Sequence, residues 1–447
     1  MRWAVSDLPI GWVETKLGEV VNYGKTEKVE PKNIPANAWI LELEDIEKDT
    51  SRLLQRLTFA QRDSKSTKNA FKKDDVLYGK LRPYLNKIIV ADRDGFCTTE
   101  IIPIKPNEAI IGRYLFYWLK NPEFLNHVNS VSYGLNMPRL GTKDGLAAPL
   151  VLAPLDEQKR IAEKLDSLLA RVDSCQLHLE RVPQILKRFR QSVLAVATSG
   201  RLTEDWRDEH TNLPKYRTVT LREVATGFNY GTSAKSQRSG NIPVLRMGNI
   251  QDGKLDWNDL VFTSDKDEIE KYKLVKGDVL FNRTNSPEWV GKTAVYKDEQ
   301  PAIYAGYLVR VKCGDELLPD FLNYCLNSPM GRDWRWRVKS DGVSQSNINA
   351  QKLADFEFEL PPVEEQTEIV RRVEKLFAYA ERLEARYYSA SEQVERLTPS
   401  LLAKAFRGEL VEQDPNDESA EGVMEKVKAR REDISPQKTG PRRERKG

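Results

Sequence analysis

Cysteine and histidine are scarce: four and three among 447 residues. Cys97, Cys175, Cys313 and Cys325 form no CxxC pair, which argues against a thiolate zinc site or a disulfide framework and reads as four reduced thiols. His127, His178 and His210 stand apart without ligand spacing, so neither a metal centre nor a histidine-based triad is expected. No apolar run approaches the ~20 residues needed to cross a bilayer. The stretch GLAAPLVLAPL at 145–155 contains prolines and suits buried strands. The opening MRWAVSDLPIGW lacks the apolar core of a secretory signal, which predicts a cytoplasmic protein. An excess of one charge is missing too: 70 basic against 67 acidic groups permit a nucleic-acid partner without demanding one. There is no G-x-G-x-x-G. The triplet Gly291-Lys292-Thr293 has Ser286 where a P-loop needs its first glycine. Asn121-Pro122-Glu123-Phe124 closes an amphipathic stretch, where N-P marks a stop. Catalytic residues, a bound cofactor and a metal are all expected to be absent from this chain.

What is present is a duplication. LPIGWVETKLGEV at 8–20 matches LPKYRTVTLREV at 213–224, with Trp12 set on Tyr216 at an offset of 204. KKDDVLYGKLRP at 72–83 matches VKGDVLFNRTNS at 275–286 at 203. APLDEQKRIAEKL at 153–165 matches PPVEEQTEIVRRV at 361–373, and SVLAVATSGRL at 192–202 matches SLLAKAFRGEL at 400–410, both at 208. Four blocks in one order at a near-constant offset define two copies of a unit with a variable body and a rigid tail. Shared framework with different loops is the pattern of one scaffold carrying different surfaces.

Each tail is a long helix. Ile161, Leu165, Leu168, Val172, Cys175, Leu179, Val182, Leu186, Phe189 and Val193 alternate steps of 4 and 3. Ile369, Val373, Leu376, Ala380, Leu383, Tyr387, Ala390, Val394, Leu397 and Leu401 repeat those steps 208 residues later. Such a heptad seam argues for a coiled coil. Asp156 and Glu157, like Glu364 and Glu365, place acidic groups in the first turn, where they complement the helix dipole. Gly200 and Gly408 are placed to cap the ends. Pro183, with Ser391 as counterpart, predicts a kink or break in the first helix. The second body begins where the first helix ends and ends where the second begins. Because compact bodies keep their termini close, the helices are expected to pair antiparallel. Pairing with another subunit is the alternative.

The bodies mix short β-rich runs, such as DVLYG at 75–79 and AGYLVRVK at 305–312, with helical stretches at 111–128 and 318–334. The fold class is therefore α+β: two recognition-type bodies and two long antiparallel coiled-coil helices in a pseudo-two-fold repeat. Within the bodies, loops concentrate side chains able to meet base edges or phosphates. In the first they are Lys80, Arg82, Asn86, Lys87, Asn136, Arg139 and Lys143. In the second they are Arg246, Asn249, Arg283, Asn285, Lys292, Arg332, Arg335, Arg337, Lys339, Gln345, Ser346 and Asn347. Trp334 and Trp336 interleave the basic run at 332–339, which reads either as a DNA-backbone contact or as a solvated helix end.

LPIGW at 8–12, the repeated APLDEQKRIAEKLD and PPVEEQTEIVRRVE, GVSQSNI at 342–348, and the endings LKRFRQSVLAVATSGRLTEDWR and LTPSLLAKAFRGELVEQD together resemble the specificity subunit of type I restriction-modification enzymes. The resemblance spans residues 8 to about 412 and includes the duplication. It implies target recognition domains at 1–155 and 204–361 and conserved helices at 156–203 and 362–412; beyond them, the composition of 413–447 reads as a flexible charged tail, with DPNDESAEG a solvated linker, VMEKVKARRE at 423–432 a short helix and PRRERKG at 441–447 a basic end. It further implies double-stranded DNA as ligand, two modification (methyltransferase) subunits carrying S-adenosylmethionine, and restriction subunits carrying ATP and Mg. GLNMPRL at 134–140 lacks the Gln-x-Asn pattern of Gln345-Ser346-Asn347, which puts a shared side-chain role for that loop in doubt. The competing reading is a coiled-coil interaction scaffold that binds no DNA.

Overall fold

The computed structural model describes residues 8–134 and 136–434. It divides into two compact units, residues 1–178 with 390–447 and residues 179–389. The fold is α+β, with mixed sheets and two long helical stretches.

In the first unit the first and last strands of the body, Val13–Lys16 and Pro149–Leu152, pair antiparallel from Val13↔Leu152 to Lys16↔Pro149. This pairing is why the body's ends lie together. Between them lies a five-stranded sheet, in which Trp39–Leu41 runs parallel to Gly95–Thr98 and the other pairings are antiparallel. A three-stranded antiparallel sheet, Ile88–Val90, Val76–Gly79 and Ile101–Ile104, lies next in the body. The second unit repeats the plan. Arg217–Thr220 pairs with Glu357–Leu360 to close the body, and Ile242–Leu245 runs parallel to Ile303–Tyr304. Strand Val279–Asn282 lies between Leu308–Cys313 and Thr293–Val295.

The helical stretches expected at 111–128 and 318–334 are each two helices. Gly112–Lys120 gives way to Pro122–Val131, and Pro319–Asn327 to Pro329–Val338. Asn121 ends one helix and caps the next, its Oδ1 accepting from the Glu123 N–H at 3.3 Å, and Ser328 Oγ accepts from Gly331 N–H at 3.2 Å. Proline in the first turn of the second helix costs nothing, because that N–H has no helical partner.

The first long stretch is broken, Leu155–Leu179 and then Val182–Thr198. Pro183 explains the break: it donates no hydrogen bond and its ring crowds the carbonyl one turn back. The second, Val363–Ala405, runs unbroken and accommodates Pro399 near its end. Gly200 and Gly408 cap the stretches at φ of 79° and 73°. A Cβ at Gly408 would lie 2.2 Å from Pro9 Cγ, and one at Gly200 would lie 2.9 Å from the Tyr216 hydroxyl, so each glycine also seats the entry of a body.

Within the first unit Ile161 and Leu165, from the start of the first stretch, share a core with Leu402, Ala405 and Phe406 from the end of the second. Within the second unit Val193, Leu194 and Ala197 share a core with Ile369 and Val373, and Arg190 pairs with Glu384 at 2.7 Å. Val172 and Leu186 are buried as well. Leu168, Leu179, Leu376, Leu383 and Val394 are half-buried, Cys175 is exposed and Leu397 is 42% exposed. Seam burial is therefore uneven, with Ala380 buried in mid-helix as well.

The short helix expected in the tail is present, and it packs where a flexible segment is expected. Residues 413–434 are built into the first unit, with a helix at Ala420–Ile434. Ala420 and Met424 are buried, and Val423 and Val427 pack beside them, an apolar stripe at helical spacing. Ala420 N–H donates to Gly11 O at 2.9 Å, and Asp417 pairs with Arg160 at 2.6 Å. The basic end at 435–447 lies outside the described residues. Among the described residues no helix is long and apolar enough to cross a membrane.

Candidate nucleic-acid interface

The two bodies hold their candidate loops by the same backbone bonds. In the first, Gly79 N–H donates to Lys87 O at 3.0 Å, Lys80 N–H to Glu100 O at 2.9 Å, and Leu140 N–H to Lys80 O at 3.0 Å. In the second, Asn282 N–H donates to Lys292 O at 2.8 Å, Arg283 N–H to Tyr307 O at 3.0 Å, and Ile348 N–H to Arg283 O at 2.9 Å. Lys80 thus corresponds to Arg283, Lys87 to Lys292, and Leu140 to Ile348. In each body a loop leaving a central strand is clasped to a second loop some 55–65 residues later in the chain. Leu81 bridges Arg139 in the first body, while Thr284 pairs with Asn347 and Asn285 with Ser346 in the second.

The structure therefore gathers Lys80, Arg82 and Arg139 in the first body, and Arg283, Asn285, Gln345 and Asn347 in the second. Arg82 is exposed in a left-handed conformation, φ 49°. Gln345 is exposed beside Val343, the most exposed large apolar side chain of the described residues. Arg283 stacks over Tyr230, its Cζ 4.8 Å from the ring centroid, and donates to Gly306 O at 3.3 Å. Asn347 Nδ2 donates to Thr284 Oγ1 at 2.7 Å. Ser346 is buried, its hydroxyl spent on Asp341.

Several candidates, Arg139 among them, also have partners within the protein. Asn86 is buried at φ 50°, where it ends the turn Pro83–Leu85. Lys87 Nζ donates to Leu43 O at 2.7 Å. Arg139 pairs with Glu100 at 3.1 Å, and Arg246 with Asp259 at 3.3 Å. Buried Asn249 holds its own turn by donating to Asp256 O and Asn258 O. Lys339 is fixed by Asp341 at 2.5 Å and lies over Trp336. Lys143 lies apart on the helix Thr142–Ala147 and, like Asn136, is exposed. Lys292, Arg332, Arg335 and Arg337 have no carboxylate within ion-pair distance among the described residues.

Sequence reasoning missed a pair of buried glutamines that join body to helix. Gln158 Nε2 donates to Ala109 O and Ala153 O, both at 2.9 Å, while its Oε1 accepts from Ile111 N–H at 3.1 Å. Gln366 Nε2 donates to Glu316 O and Pro361 O, both at 2.8 Å, and its Oε1 accepts from Leu318 N–H at 2.8 Å. Each satisfies three backbone groups that would otherwise be buried unpaired. The preceding acids are buried too, rather than solvated dipole partners. Glu157 accepts from Trp12 Nε1 at 2.8 Å, and its other oxygen has no partner. Burial raises its pKa above the ordinary carboxylate value. Glu365 accepts from Thr203 Oγ1 at 2.8 Å and also from Tyr216 and Arg207. Recurrence of Glu-Gln at an offset of 208 was the available signal.

The family described as type I restriction modification DNA specificity domain matches residues 9–182 and again 215–389, one match per copy. The type I restriction enzyme EcoKI specificity subunit of Escherichia coli is 37% identical over 341 residues, 73% of this chain and 74% of that one. A chain solved in work on assembly and conformational transition of the type I R-M system superposes with a TM-score of 0.70 at 23% identity, covering 90% of this chain and 99% of that one. The HsdS subunit of Thermoanaerobacter tengcongensis gives a TM-score of 0.62 at 22% identity, covering 90% and 98%. The chain belongs to the type I restriction-modification DNA specificity family, whose members are recognition subunits without catalysis of their own.

Proposed function

We propose that the chain reads a bipartite, asymmetric DNA target, one half with each body, across an unread spacer of fixed length. The long helices act as an antiparallel coiled-coil ruler for that spacer. Two modification subunits carrying S-adenosylmethionine and the restriction subunits, with ATP and Mg, supply adenine methylation and cleavage. The observation that carries this reading is the shared wiring of the two loop pairs, filled with different side chains: Lys80, Arg82 and Arg139 against Arg283, Asn285, Gln345 and Asn347. Equal frames with unequal readers suit two unequal half-sites. The ruler is supported within each unit, where the start of one helical stretch packs with the end of the other.

The test is the methylated motif in DNA of cells carrying the complete system. The expected result is two different short sequences separated by a constant gap. Insertions at the body–helix junctions should change the gap and leave both sequences intact. A single contiguous motif, or insertions that alter the bases themselves, would overturn the reading. Binding of target duplex by the assembled complex should weaken steeply with salt, as counterion release requires.

A further inference from the structure

The neck of the second body's loop carries a cluster of cations with no carboxylate within ion-pair distance among the described residues, Asp252 acting on Lys292 only from beyond it. Lys292 Nζ lies over the Trp289 ring, 4.0 Å from its centroid, and donates to Gln251 Oε1 at 2.9 Å. Arg335 reaches the same neck from the helix Pro329–Val338, donating to Val290 O at 3.4 Å, and its Nε is buried without a partner. Gly291 lies where the Arg335 stem passes: a Cβ there would sit 2.1 Å from Arg335 Cδ. The loop is thus shaped around the arginine. Burial and the neighbouring charge of Arg332 press the Arg335 pKa down to about 10, which leaves it protonated at neutral pH. Burial and Arg335 likewise lower that of Lys292, against the pull of Asp252. Cations crowded together and partly stripped of water are held at a cost that an anion would offset.

We propose that Arg335 and Lys292 form a seat for one backbone phosphate of duplex DNA, setting the register in which the adjoining Arg283 and Asn285 meet the bases. The seat has no counterpart in the first body. There the residue before Lys87 is Asn86, and the seventh residue of the helix Pro122–Val131 is the buried Val128, where Arg335 is seventh in its own helix. This inference rests on the DNA-recognition reading.

The test uses the full chain assembled with its modification subunits, on target duplex and on scrambled duplex over a range of salt. Arg335→Met keeps the stem and removes the charge. It should weaken binding to both duplexes roughly ten-fold or more and lower the slope of log affinity against log salt by about 0.9, with the methylated motif unchanged. Lys292→Met should do the same, and its half-buried position on the loop makes it the second readout if Arg335→Met fails to fold. Arg335→Lys should keep the slope. An unchanged slope, or a loss confined to the target duplex, would overturn the seat and, in the second case, make these residues base readers. If the unaltered complex shows no salt-dependent binding, the DNA reading itself fails; if only the variants show no effect, the seat alone fails.

Discussion

At the neck of its loop the first body carries Asn86 and, in the helix behind, Val128; the second carries Gly291 and Arg335 at the corresponding positions. Next to these pairs one backbone bond recurs, Gly79 N–H to Lys87 O and Asn282 N–H to Lys292 O, although Asn86 N–H donates to Pro83 O where Gly291 N–H donates to Asn282 O. Where the bodies adjoin the helices the contrast reverses in kind: Gln158 and Gln366 make the same three bonds, yet Glu157 has one donor and Glu365 has three. Backbone groups must be paired wherever they are buried, so the frame changes little. Side chains at a surface answer to a ligand, and those at a joint answer to whatever segment covers it.

The largest effect should come from breaking the comparison outright. Exchanging the body between the closing strands Val13–Lys16 and Pro149–Leu152 for that of a relative should change one half-target only. Discrimination for the old half-target should fall by ~10³ or more, read from the methylated motif. Change in both halves would remove the modular picture.

Next come the glutamines, where the copies should behave alike. Gln158→Ala and Gln366→Ala each strand three buried backbone groups and should each cost about 3 kcal/mol in unfolding free energy. A large effect in one copy alone would show that the joints are not equivalent.

The acids should behave differently. Glu365→Gln leaves the Arg207 guanidinium without its counter-charge, and because Arg207 is partly exposed the cost should be about 2 kcal/mol. Glu157→Gln should stay within about 1 kcal/mol, since one oxygen of Glu157 has no partner to lose. Its effect should depend on pH. The folded state holds the Glu157 proton more tightly than the unfolded chain does, so this contribution is full below the unfolded carboxylate pKa and is lost as pH rises through the folded value. The glutamine variant should therefore gain on the native chain between pH 4 and 7 (test conditions, roughly spanning the ordinary carboxylate range), read as a difference in Tm. A constant difference would place the Glu157 proton elsewhere.

The duplication and the long helices were legible because apolar residues at alternating steps of 4 and 3 persist over many turns, and few other structures need such a pattern. The strand cores were legible for the same reason on a shorter scale. The glutamine joints were not: an amide in a first helical turn reads as surface, and only its recurrence hinted otherwise. The left-handed turn at Asn86 was not legible because asparagine suits both a ligand-facing loop and such a turn. In the tail the short helix was legible but its packing was not, because Ala420, Val423, Met424 and Val427 are a thin stripe among many charges.

The first unit borrows Leu402, Phe406 and Met424 for its core, whereas the second draws on a single unbroken segment, residues 179–389. During synthesis the second unit therefore has all its chain first, although it is encoded later. The first must wait, with its core open, until the last helix emerges. A premature stop after residue 389 would spare the later unit and leave the earlier one unfinished.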